Sequence, residues 1–168
     1  VEVRSTRGTR RIDAADLYLG PYATALEPDE LLTSIQVPEW PAGTVSLFRE
    51  ITQRPGDFAL VGLSGALAVQ EGRITRASIA WFGMGPTPMK ARQVESALVG
   101  QSIDRLDARA LADLAIADTS PFDDQHATAE YRRTVGRRVF ARALSETFDL
   151  RAAACAPCRF STGGAASA

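Results

Sequence analysis

The chain has 168 residues, of which 45% are hydrophobic and 23% charged, a composition typical of one globular domain with a small appendage. The formal net charge of -1 does not favour binding to nucleic acid or to an anionic membrane. No apolar run reaches the roughly 20 residues of a membrane-spanning helix, and no secretory signal is apparent. Because the chain starts at Val1 with strand-like residues, we expect that it begins inside a larger protein.

The first part of the chain predicts a small β-rich piece. Val1–Ser5 and Arg10–Ile12 have the pattern of a hairpin around Arg7-Gly8-Thr9. Asp13 can cap a short helical turn over residues 13–19, because its carboxylate accepts from the free N–H groups of a first turn. A linker-like stretch then runs to Pro28.

A second piece, starting at about Leu31, predicts an antiparallel sheet. Turn residues separate its strands, with Glu71-Gly72 expected to form a hairpin turn and Arg54-Pro55-Gly56-Asp57 a loop. The predicted strands are Leu31–Val37, Ser46–Thr52, Phe58–Val69 and Ile74–Phe82.

Three helices are predicted after this sheet. They are Met89–Val99, Asp107–Ala117 and Gln125–Leu150, and the last carries an apolar stripe of Tyr131, Val135, Val139, Leu144 and Phe148. The sequence therefore predicts an α+β fold, with a small antiparallel sheet of three to four strands packed against about three helices.

The loop Arg54–Asp57 is the most interesting candidate site. It combines a fixed turn, a cation and a carboxylate between two strands, and such a loop can present its backbone to a flat ligand. The simpler interpretation is a tight turn in which Asp57 accepts from local N–H groups.

His126 is the only histidine, so a hydrolase would have to pair it with Ser120 or Asp124. Asp123 and Asp124 beside it could also be taken for a weak metal site. The simpler interpretation is a solvated histidine near acids at a helix start, where carboxylates favour the helix dipole.

A band of arginines on the last predicted helix has two interpretations. It can be a solvated face with Glu130–Arg133 and Arg142–Glu146 pairs, or a docking face for a partner subunit. The remaining arginines of this band are Arg132, Arg137 and Arg138.

Both cysteines, Cys155 and Cys158, lie in the tail after residue 150. A C-x-x-C pair can be redox-active or half of a metal site, but the surrounding Ser, Gly and Ala residues favour a disordered tail over residues 151–168. The folded part is then cysteine-free, which is typical of a cytoplasmic protein without disulfides.

Three ordered stretches resemble the FAD-binding (medium) subunit of molybdenum hydroxylases, the relatives of carbon monoxide dehydrogenase and xanthine dehydrogenase. They are Gly20–Leu32 with Ile35–Pro38, Phe48 with Arg54–Val61, and Tyr131–Arg133 with Arg142–Leu144. Their order and spacing agree over about residues 1–150, and three motifs in register are more specific than any one alone.

This resemblance implies that residues 1–26 are the end of an FAD-binding subdomain and that residues 27–150 are a C-terminal domain. In such enzymes electrons pass from a molybdopterin-binding large subunit through two [2Fe–2S] clusters on a small subunit to FAD, and then to an external acceptor. We therefore expect a cytoplasmic hetero-oligomer with FAD, in which this chain alone is inactive. The alternative is an assembly module with no flavin role of its own.

The resemblance also implies which residues approach the flavin. Leu32 corresponds to a leucine that lines the flavin, and Arg49 lies where xanthine dehydrogenase relatives have a lysine, or Glu50 where bacterial relatives have one. The loop from Glu50 to Leu60, with Arg54, Gly56 and Asp57, would run past the ring. The two glycine-rich motifs that bind the FAD pyrophosphate in the family do not occur in these 168 residues.

Overall fold

The computed structural model describes residues 1–149. The predicted tail with Cys155 and Cys158 lies outside the described residues. The strands are β1 (Glu2–Ser5), β2 (Gly8–Arg11), β3 (Tyr18–Gly20), β4 (Ala23–Thr24), β5 (Leu31–Ser34), β6 (Thr44–Thr52), β7 (Ala59–Gln70), β8 (Arg73–Phe82) and β9 (Met89–Lys90). The α-helices are α1 (Ala14–Leu17), α2 (Arg92–Leu98), α3 (Ala112–Ile116) and α4 (Ala129–Thr147).

The main sheet is antiparallel and four-stranded, in the order β6-β7-β8-β9. Its hairpin turn lies at Glu71 and Gly72 as predicted, and both residues have positive φ (49° and 72°), as a two-residue turn matched to the strand twist requires. Helices α2 and α4 pack on the sheet and α3 packs against both helices, around Trp81 and Phe140, which are both fully buried. The predicted α+β fold is confirmed.

Helix α4 buries the predicted stripe at Val139 and Leu144, but its first turns bury other residues than those predicted. Tyr131, which was expected to start the apolar stripe, is 44% exposed, whereas Arg132 and Gly136 are buried. A Cβ on Gly136 would lie 2.9 Å from Cε of Met84 and 3.2 Å from Cγ2 of Ile116. The smallest residue of the helix therefore marks its closest approach to the core, which an apolar pattern cannot predict.

Helix boundaries also differ from the prediction. Residues Met89–Lys90 are not helical but pair with β8, where Trp81 faces Met89, so α2 begins only at Arg92. Helix α4 begins at Ala129 rather than Gln125, because the Thr128 side chain caps it by accepting from the N–H of Tyr131 at 3.1 Å. The second predicted helix, 107–117, is α-helical only over α3.

Strand β5 was expected to open the second piece, but it pairs with β1 in a separate sheet of order β2-β1-β5. It ends at Ser34 rather than Val37.

Arg10 donates to both carboxylate oxygens of Glu30 at 2.6 and 2.7 Å. These bonds and the N–H of Glu27 lower the pKa of Glu30 to about 2. The domain boundaries themselves stay a prediction.

The ends of the main sheet-and-helix unit lie close together. Ser46, near the start of β6, and Thr147, at the end of α4, line one small cavity of about 210 Å³, and Arg49 forms an ion pair with Glu146 nearby. None of the helices in the described residues has the length and apolar character needed to cross a bilayer.

Candidate functional site

The segment of residues 53–58, called the connecting loop below, joins β6 to β7. The N–H of Asp57 donates to the carbonyl of Arg54 at 3.1 Å, which closes a tight turn. Gly56 has φ +90°, and a Cβ built on it would meet nothing within 4 Å. Phe58 is 98% exposed. The loop therefore offers an open stretch of backbone next to an uncovered aromatic ring.

A cavity of about 490 Å³ lies beside the connecting loop. It is bounded by the loop, by the segment that precedes α4, and by the first turn of α4. Its lining residues are Gln53, Gly56, Asp57, Phe58, Ala59, Leu60, Gly83, Phe122, Asp124, His126 and Arg132.

Arg132 lies under this cavity and is only 3% exposed. Its Nη1 donates to the carbonyls of Leu60 and Gly83, at 2.5 and 2.9 Å, and its Nη2 donates to Asp124 Oδ2 at 2.6 Å. The Phe122 ring lies 5.6 Å from the guanidinium, a cation–π contact. The Arg132 Nε has no hydrogen-bond partner among the described residues.

Asp124 is occupied by structural contacts. Its Oδ1 accepts from the N–H groups of His126 and Ala127, both at 2.9 Å. Burial alone would raise the pKa of Asp124. These two bonds and the Arg132 guanidinium have the opposite and larger effect, so the pKa lies below its ordinary value. The carboxylate therefore stays charged and paired with Arg132.

The geometry does not assemble the hydrolase considered from the sequence. The His126 ring is within hydrogen-bonding distance of Gln125, at 3.1 Å, and within residues 1–149 no hydrogen bond joins it to Ser120 or Asp124. In the same residues, no group of three or more His, Cys, Asp or Glu side chains could hold a metal ion.

Comparison with known proteins identifies the fold. Residues 46–147 match the CO dehydrogenase flavoprotein C-terminal domain. The chain belongs to this family. The resemblance stated from the three motifs is thereby confirmed.

Relatives within the family include subunits of oxidoreductases. The chain is 33% identical to the carbon monoxide dehydrogenase medium chain of Afipia carboxidovorans, covering 85% of this chain and 50% of that protein. It is 32% identical to the nicotine 6-hydroxylase medium subunit of Paenarthrobacter nicotinovorans, covering 87% and 51%. The chain thus spans about half the length of the curated relatives it matches. Nicotinate hydroxylase hnxS of Emericella nidulans, 26% identical, matches 84% of this chain over 11% of its own length.

Solved structures of the family have the same architecture. Carbon monoxide dehydrogenase from Hydrogenophaga pseudoflava superposes with a TM-score of 0.80 at 29% identity, over 89% of this chain and 52% of the other. Quinoline 2-oxidoreductase from Pseudomonas putida 86 gives 0.76 at 29% identity, over 88% and 51%.

In this member of the CO dehydrogenase flavoprotein family, the six residues predicted to approach a flavin lie in several places. Gly56 and Asp57 line the cavity, and the Arg54 side chain is exposed beside them. Arg49 and Glu50 instead line a groove of about 290 Å³ between β6 and α4. Leu32, 42% exposed, lies on β5 of the other sheet.

The arginine band on α4 also divides. The Arg142–Glu146 pair is confirmed at 2.7 Å, and Arg137 pairs with Asp113 at 2.5 Å. The predicted Glu130–Arg133 pair does not form. Sequence reasoning missed the burial of Arg132, because nothing local distinguishes it from its exposed neighbour Arg133.

Proposed function

We propose that this chain is the C-terminal part of the FAD-binding medium subunit of a molybdenum hydroxylase, and that the connecting loop forms one side of the flavin site. The family match over residues 46–147 carries this proposal. When bound, FAD would supply the redox chemistry. Electrons would come from a molybdopterin-binding large subunit through [2Fe–2S] clusters on a small subunit to FAD, and would leave to an external acceptor. The assembly would be a cytoplasmic hetero-oligomer.

The residues of the connecting loop suit the edge of a flavin ring. A flat ligand can approach the backbone at Gly56 because a side chain is absent there and the surrounding space is open. The exposed Phe58 ring offers an apolar contact, and Arg54 and Asp57 set the local charge. The glycine-rich pyrophosphate motifs are not in this sequence, so the phosphates of FAD would be held by another part of the subunit.

The other proposed contacts have less support from the geometry. Arg49 is engaged with Glu146, so a contact with flavin would require this ion pair to open. Glu50 is exposed beside it. Leu32 presents an accessible apolar side chain, and it remains a proposed contact from the resemblance.

A full-length subunit that includes this chain should bind FAD at one per subunit, and Gly56→Val should weaken that binding by about tenfold. The reason is that a branched Cβ fills the open space and is strained at positive φ. The measurement is flavin content after gel filtration and titration of the flavin-free subunit. Gly72→Val is the matched control, because φ is also positive and the space also open there, but it lies in the distant hairpin turn. A wild-type subunit without flavin absorbance would refute the proposal.

The second candidate role, docking of a partner subunit, is favoured by the groove between β6 and α4. Tyr131 and Val135 supply apolar surface there, and Arg138 lines the same groove. Arg133 is exposed on the same helix outside the groove, and neither Arg133 nor Arg138 forms an ion pair with any residue of 1–149. Such a surface suits an acidic segment of a partner subunit.

Substituting Arg133→Glu and Arg138→Glu together should abolish co-purification with the iron–sulfur and molybdopterin subunits, because charge repulsion replaces attraction. The far-ultraviolet circular dichroism should not change. Arg92→Glu, an exposed arginine on α2, is the control for the charge change. Intact assembly of the double variant would count against this role.

A further inference from the structure

We infer that Arg132 is a positioning residue that holds the connecting loop in place and so sets how the loop faces a bound flavin. The inference rests on the proposed function for its link to the flavin. It is carried by the Arg132 clamp, defined as the Arg132 guanidinium with the carbonyls of Leu60 and Gly83 and the carboxylate of Asp124.

The clamp closes the end of the sheet from which the connecting loop emerges. Gly62 and Phe82 form the last pair between β7 and β8, so the carbonyls of Leu60 and Gly83 lie beyond the regular ladder. One nitrogen of Arg132 donates to both of them. The Arg132 side chain thus links the two strands where the backbone hydrogen bonds between them have ended. It fixes the backbone at Leu60, two residues after Phe58.

The clamp itself is held rigidly. Arg132 is almost fully buried, and its charge is compensated by Asp124 at 2.6 Å. Breaking such a pair leaves a buried charge uncompensated, which strongly opposes any opening of the clamp. Asp124 in turn is fixed by two backbone N–H groups, so the start of α4 and the connecting loop are joined through one guanidinium.

Gly83 supports the same arrangement independently. A Cβ at this position would lie 2.6 Å from the carbonyl oxygen of Leu60 and 2.9 Å from that of Ala59. The backbone on the far side of the loop therefore approaches within contact distance only because Gly83 has no side chain. The base of the loop is confined from two directions, by Arg132 and by Gly83.

Hydrogen–deuterium exchange on the full-length subunit tests the positioning role. Arg132→Met should raise amide exchange over Asp57–Leu60 by about tenfold relative to the core strands, and Arg132→Lys, which keeps the charge but not the fork, should restore part of the protection. Asp124→Asn is a less disruptive variant to use if Arg132→Met does not fold. It should also raise amide exchange over Asp57–Leu60. Arg92→Met is the control on an exposed helical arginine. Exchange that is unchanged in the loop, or raised equally throughout, would overturn the inference.

The visible spectrum of the bound flavin tests the functional link. In the flavin-containing subunit, the Arg132→Met and Asp124→Asn variants should shift the visible absorption band and the reduction potential of the flavin. Arg132→Lys should give values of both that are closer to those of the wild type. Raised loop exchange with an unchanged flavin spectrum and potential would overturn the link to the flavin. A wild-type subunit that holds no flavin is a different outcome, because it refutes the proposed function and leaves the exchange result standing.

Discussion

Replacing Trp81 by alanine should lower the free energy of unfolding by about 3–5 kcal/mol, since it empties the largest fully buried side-chain position of the core. The total stability of a domain is typically about 5–15 kcal/mol, so this variant should be close to unfolding at room temperature. Urea denaturation followed by far-ultraviolet circular dichroism measures the change without relying on tryptophan fluorescence.

Two controls separate the contributions of Trp81. Trp81→Phe keeps a six-membered aromatic ring but removes the Nε1–H group that donates to the Ala115 carbonyl at 2.6 Å. It should lower the free energy of unfolding by about 1–2 kcal/mol. The other tryptophan, Trp40, is half-buried with Arg76 at 4.1 Å from its ring, and Trp40→Ala should cost about 1 kcal/mol. If Trp81→Ala cost no more than Trp40→Ala, the core packing described for Trp81 would be wrong.

Gly83→Ala should be the other severely destabilising change, at about 2–4 kcal/mol. Gly83 has φ +71°, and its added Cβ would press on the backbone carbonyls of Ala59 and Leu60. Neither carbonyl can yield without moving the start of β7. Urea denaturation midpoints measure the loss.

Gly72→Ala isolates the contribution of this steric conflict. Gly72 has nearly the same φ, +72°, but nothing lies within 4 Å of its added Cβ. It should therefore show only the conformational penalty of about 1 kcal/mol. Equal losses for Gly83→Ala and Gly72→Ala would mean that Gly83 is not closely approached by β7.

The sequence predicts the central hairpin well because its determinants are local. The prediction of Phe58–Val69 and Ile74–Phe82 differs from β7 and β8 by only one residue at any end. Apolar runs joined by Glu71-Gly72 determine both strands and their turn without reference to the rest of the chain. The loop at Gly56 follows from turn chemistry in the same way.

Features that depend on distant parts of the chain could not be predicted. The pairing of β5 with β1 joins Val3 to Leu32, and no local pattern specifies that choice. The burial of Arg132 depends on carbonyls at Leu60 and Gly83, which only the assembled sheet brings to it. The candidate site follows the same division, because its loop is visible in the sequence and its support is not.

The closeness of Ser46 to Thr147 makes the unit between them portable. A segment whose first strand and last helix meet at one edge can be inserted into, or fused behind, another polypeptide with little distortion of either. The family boundaries, 46 and 147, coincide with these two residues. The match with nicotinate hydroxylase hnxS extends beyond this unit, since it covers 84% of this chain and 11% of that protein. A unit whose two ends meet can be carried by polypeptides of different lengths while its fold stays intact.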